Sequence, residues 1–188
     1  MVGRSSGWSP PGIHERAVPF QLSRMQLPDP SPFLCRLFAA LAQDGIDVDG
    51  LTLDHLCYRV ETPEAFLVWQ AHLATQGRTL GVHRINGRPI ATFRLSRPFT
   101  FHGRRIDVVE LPAPKNGSPY PEGWEHAEFV VDVEPETFAN RYPQLHWDLS
   151  GADNQRNADV RLNYGGFSVK FHRQALAEVI AMEQGEDP

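Results

Sequence analysis

At 188 residues, with 41% hydrophobic and 22% charged side chains, the chain has the composition of an ordinary globular protein of one compact domain or two small ones. A formal net charge of −5 gives no general attraction to nucleic acid, and two cysteines, Cys35 and Cys57, without a CxxC pair are too few for a disulfide framework. No apolar run reaches the roughly 18 to 20 residues that span a bilayer and no secretory signal follows the first charges, so no membrane association is expected and the expected compartment is the cytoplasm.

Residues 1–24 are rich in Gly, Ser and Pro and carry no period of 2 or 3.6, so they read as a disordered tail, with Met25 as an alternative translation start. Residues 25–188 read as a single domain. Asp29-Pro30-Ser31 starts a helix over about 31–44, with Phe33, Leu34, Leu37 and Leu41 as its apolar stripe and Gly45 as its stop. LTLDHLCYRV is strand-like, and Thr62-Pro63-Glu64 opens a helix through Phe66, Trp69 and Leu73, closed by Gly77. Strands are expected at about 78–85, at about 89–95 after the NGRP turn, and over 99–111 folded back at HGRR. The loop PAPKNGSPYPEGW connects to a second strand–helix pair, WEHAEFVVDV and EPETFANRYPQL. Three more strands, HWDLS, ADVRLNY and GFSVKFHR, and a last helix over about 174–183 complete the pattern. The fold class is therefore α+β, with two tandem βαβββ modules at about 51–111 and 124–172 and a helix at each end.

The strands DHLCYRV and EHAEFVV repeat one pattern, an acid, a histidine and alternating apolar positions, and mark the first strand of each module. Strand periodicity puts Leu56, Tyr58 and Val60 on the helix-packed side and His55, Cys57 and Arg59 on the other. His126 and Glu128 occupy the corresponding side of the second copy, Glu110 ends an apolar row in RRIDVVEL, and Ser168, Lys170 and His172 share a face in the last strand. One polar candidate per equivalent strand emerges: His55, Glu110, His126, and Lys170 or His172.

With these residues in place the chain resembles the vicinal-oxygen-chelate superfamily, and DHLCYRV, VVELPAPKNGSPYPEGWEHAEFVV and VKFHR resemble its YecM-type branch over about residues 31–184. The resemblance implies a cleft between the modules holding a divalent metal, with ligands His55, Glu110 and His126. The fourth position, a glutamate in isomerase-like members, falls on Lys170, which argues against chemistry that needs a fourth carboxylate. Two imidazoles and one carboxylate with open positions suit iron, zinc, manganese or nickel. Such a metal could act on a small oxygen-rich substrate in an isomerase, lyase or dioxygenase reaction, with Lys170 and Glu128 as candidate catalytic groups and Arg59 and His172 as candidate substrate-binding groups. The competing expectation is a metal-free module of the same fold that binds or sequesters a small molecule. A third is an interaction protein offering the arginines of 84–105 to an acidic partner. No glycine-rich phosphate loop, HExxH or GxSxG motif is present.

Overall fold

The protein is described by a computed structural model over residues 25–185, except 86, 116, 118 and 119. The expected tail over 1–24 lies outside the described residues, as does Asn86 of the NGRP turn. Helix α1 (Ser31–Gln43) begins where the Asp29 carboxylate accepts hydrogen bonds from the Ser31 amide and hydroxyl, and its buried face is Phe33, Leu34, Leu37 and Leu41. It stops before Gly45, whose φ of 72° lies in the left-handed region that glycine adopts without strain.

The first module runs β1 (Thr52–Arg59), α2 (Pro63–Gln76), β2 (Gly77–Ile85), β3 (Arg88–Phe101) and β4 (Arg104–Pro112). Thr62 caps α2 by accepting the Ala65 amide through its hydroxyl. β2 follows α2 without a loop, and Gly77 makes this possible: a Cβ there would sit 2.0 Å from the Arg94 carbonyl oxygen. The segment expected as separate strands at 89–95 and over 99–111 is one long β3 folded back on β4 at His102-Gly103, both with positive φ, as a two-residue hairpin requires.

The second module runs β5 (Gly123–Val130), α3 (Pro135–Ala139), β6 (Asp159–Asn163) and β7 (Ser168–His172), followed by α4 (Leu176–Gln184). It has one strand fewer than expected. HWDLS makes only an isolated bridge, Asp148 with Arg161. The Asp148 carboxylate then accepts the Ser150 amide and Ala152 turns back onto the Leu149 carbonyl, so the donors that would extend the ladder are used locally.

Seven strands form one sheet in the order β2-β3-β4-β1-β5-β7-β6. β1 and β5 pair antiparallel at its centre, and each is flanked by the last strand of its own module in parallel, β4 beside β1 and β7 beside β5. This is the paired-module α+β architecture expected. One face is covered by α2 over the first module and by α1 and α3 over the second; Phe93, Phe129 and Phe171 of the sheet and Phe138 of α3 are fully buried between the layers, each contributing on the order of 2–3 kcal/mol by burial. α4 crosses to the opposite face, where Ile180 packs on Leu80 and on Val108, the ladder neighbour of His55. Among the described residues no helix is long and apolar enough to cross a membrane.

Candidate metal centre

Strict alternation would put Asp54 and His55 on opposite faces of β1. The register slips by one residue between Leu53 and His55, and again between Cys57 and Tyr58, where Glu125 is the extra residue on β5. Each module therefore carries a bulge at its acid–histidine dipeptide, which turns both side chains toward the face away from α2 and α3. His55 Nδ1 lies 2.7 Å from Asp54 Oδ2, and His126 Nδ1 is hydrogen-bonded to Glu125 Oε2. A carboxylate only accepts, so in each ring Nδ1 carries the proton and Nε2 is turned inward.

Those two Nε2 atoms meet the carboxylates of β4 and β5. Glu128 Oε1 is 3.0 Å from His126 Nε2 and 3.4 Å from His55 Nε2, and Glu110 Oε2 is 3.6 Å from His126 Nε2. Candidate donor atoms of His55, Glu110, His126 and Glu128 all lie within 4.8 Å of one another. Both Nε2 atoms are buried without a hydrogen-bond partner, as is that of His172. Two imidazoles and two carboxylates at this spacing, with orphaned nitrogens, fit a divalent cation of the first transition row or zinc.

The remaining residues expected at a site are distributed around this cluster. Lys170, the ladder partner of Glu128, places Nζ 3.0 Å from Glu128 Oε1 and 3.8 Å from Asp159 Oδ2. His172 is fully buried; its Nδ1 lies 2.6 Å from the Gln174 carbonyl oxygen, and its Nε2 is 3.5 Å from both Asp54 and Glu128. It adjoins the cluster from within the protein and does not reach the cavity surface. Arg59 pairs with Glu125 at 3.0 Å and lies over the Tyr120 ring. Arg104 and Arg105 of the arginine-rich stretch pair with Asp49 and Asp107, away from the cleft, whereas Arg84 and Arg88 line it.

The charges are strongly interdependent. Burial works against a charged His55, but Glu128 and Asp54 outweigh it and raise its pKa to about 10. His126 is raised well above its ordinary value against burial by Cys57, Glu110 and Glu125. Burial opposes ionisation of Glu128 and Glu125 too; Lys170 and His55 hold Glu128 well down, and His126 and Arg59 bring Glu125 to about 2. Lys170, which burial alone would lower, is raised by Glu128 and Asp159.

Among the described residues the cluster borders a cavity on the side away from α4. A cavity of about 820 Å³ is lined by Cys57, Glu110, His126 and Lys170, while His55, Glu128 and His172 lie beneath its floor. α4 seals the His55 side and anchors there, its Leu176 amide donating to Asp54 Oδ2 at 3.0 Å. Asp54 and Glu125 were not singled out from the sequence. The signal was present: Leu53/Leu56 and Trp124/Ala127 are apolar pairs three apart around two polar residues, the spacing a bulge leaves.

Comparison with known proteins places the chain in a family. The sequence model of the YecM family, described as "YecM protein", matches residues 25–162. Protein YecM of Escherichia coli (strain K12) is 31% identical over 155 residues, covering 74% of this chain and 82% of its own length. An uncharacterised protein of Haemophilus influenzae is 38% identical over 98 residues, and the chain spans about half of its length (51%). A solved structure described as "Structural Genomics, Protein EC4020" superposes with a TM-score of 0.70 at 28% identity, covering 81% of this chain and 88% of the other.

Proposed function

The chain belongs to the YecM family, and on that premise we propose that its cleft binds one divalent metal ion through His55, Glu110, His126 and Glu128 and presents it to a small oxygen-rich organic ligand. The observation that carries the reading is the pair of buried Nε2 atoms, each aimed at the same carboxylates by a proton-bearing Nδ1 locked to the preceding acid. Charge supports it as well. The buried carboxylates Asp54, Glu125 and Glu128, with half-buried Glu110 and Asp159, outnumber the two cations that pair with them, Arg59 and Lys170, an excess of negative charge that a divalent ion would reduce.

Iron, zinc, manganese and nickel are all compatible with this donor set. When bound, the metal would polarise adjacent oxygens of a ligand, the requirement shared by isomerase, lyase and dioxygenase chemistry. The chain's own residues divide the remaining work. Glu128, a candidate catalytic group by its place in the strand and tied to Lys170 and both histidines, serves in this reading as a ligand to the metal. Lys170, its ammonium held by Glu128 and Asp159, stays charged at the edge of the cavity and acts as a counter-charge. Arg59, braced by Glu125 and Tyr120, offers its remaining N–H groups to a ligand carboxylate.

One observation favours a second reading. The Lys170–Glu128 pair, with protonated histidines, neutralises the cluster without metal and would suit a metal-free binding module. Elemental analysis of protein purified without chelators separates the two. About one metal per chain is expected, lost in His55→Ala and His126→Ala while circular dichroism stays that of the folded protein. An untreated sample that contains no metal and shares its thermal midpoint with a chelator-treated one decides for the metal-free module.

A further inference from the structure

The cleft has a charged wall that metal binding does not use. Arg84, Arg88 and Lys115 line the cavity from the first module, at the β2–β3 hairpin end and just beyond β4. Among the described residues none of the three makes an ion pair: Arg84 donates to the Gly87 carbonyl at 3.0 Å, and Arg88 to the Ala113 carbonyl at 2.8 Å and the Tyr120 hydroxyl at 3.3 Å. Arg59, Arg156 and Lys170 of the same cavity are each tied to a carboxylate. In a chain of net charge −5, three unpaired cations on one wall concentrate an attraction for anions that the molecule as a whole lacks.

Register gives the spacing. Thr92 pairs with Glu110 and Ile90 with Pro112 across β3–β4, so Arg88 lies four residues along β3 from the row that carries Glu110. At the rise of an extended strand that is roughly 13 Å. The cationic wall and the metal-facing floor are therefore opposite ends of an elongated cleft. Resting on the metal reading above, we propose that the ligand is an α-hydroxy or α-oxo carboxylate whose far end carries a second anionic group, its adjacent oxygens at the floor and the second anion seated on Arg84, Arg88 and Lys115. The length of the arginine side chain and the floor's own ligand bonds take up the distance that a chain of a few carbons does not.

Matched probes test this: 2-hydroxyadipate, its analogue with a phosphonate in place of the far carboxylate, and 2-hydroxyhexanoate, which lacks the second anion. Calorimetric titration of metal-loaded protein at low salt is expected to show at least one dianion bound about tenfold or more tighter than 2-hydroxyhexanoate. In Arg84→Ala/Lys115→Ala, which spares the Arg88 link to Ala113, the preference should shrink to about twofold or less, with metal content and 2-hydroxyhexanoate binding unchanged. Equal binding of all three probes by the unsubstituted protein, or a full preference in the double variant, overturns the proposal. Should no metal bind at all, the metal reading fails by itself; the preference for a second anion, measured on the same metal-free protein, still decides for or against the cationic wall.

Discussion

The two modules present the same backbone positions and fill them with opposite chemistry. Two residues after His55, Cys57 faces Glu110 across the β1–β4 ladder; two residues after His126, Glu128 faces Lys170 across β5–β7. The carboxylate has moved to the neighbouring strand in the second module, and a lysine stands where the first has its acid. Access differs too: α4 seals the His55 side, while His126 borders the open cavity. Duplication thus fixes where side chains converge, and local charge decides which of them serves as a donor.

The sharpest way to break this comparison is to substitute the paired positions. Glu128 is nine-tenths buried or more and neutralises Lys170 and both histidines, so Glu128→Gln leaves buried cations uncompensated and should cost about 3–5 kcal/mol in urea unfolding of the metal-free protein. Cys57→Ser, at the equivalent place, should cost about 1 kcal/mol. Similar losses would mean that the positions are alike in energy as well as in backbone.

Acidity probes both modules together. The His55 pKa is raised from 6.5 to about 10 and that of His126 also lies well above 6.5, so in the metal-free protein their stabilising contribution is complete below about pH 6.5 and disappears as pH rises through the folded values. Glu125 is depressed to about 2 from 4.5, so its contribution is present above about pH 4.5 and is lost as pH falls toward 2. A metal must displace both imidazole protons. Its affinity should therefore rise between about pH 6 and 8 with a logarithmic slope near two, a factor of about a hundred per pH unit. A slope near one, read by competition with a chromophoric chelator, would show that only one module's histidine is engaged.

The orienting acids come next. Asp54→Asn and Glu125→Gln should each weaken metal binding by roughly 10- to 100-fold through loss of the Nδ1 partner. Asp54 also accepts the first amide of α4, so its variant should in addition accelerate hydrogen exchange in α4, which the Glu125 variant should not.

Much of this is legible in the sequence. The echoed acid–histidine strands located His55 and His126, and the end of an apolar row located Glu110. What escaped was cooperative in origin. The bulges that turn Asp54 and Glu125 to the face of the histidines show within each strand only as apolar residues three apart, and it takes the pairing of β1 with β5 to settle them. HWDLS had a strand's composition, yet Asp148 spent its carboxylate on a turn. The position of α4 over His55 follows from Ile180 meeting Leu80 and Val108, residues about a hundred and about seventy positions away in the chain.

Lys170 gives the most direct reading of the difference between the modules. Lys170 holds a positive charge 3.0 Å from a carboxylate that also faces both histidines, so it competes with any cation placed among them. Lys170→Met keeps the aliphatic stem and removes that charge. Metal affinity should rise by about tenfold, the order expected for a group next to the donor set, while the metal-free protein loses stability because Glu128 is left without its cation. Chelator competition and urea unfolding of the same variant thus move in opposite directions. A fall in both would mean that Lys170 chiefly holds Glu128 in place, and that the lysine is a support for the donor set and not its competitor.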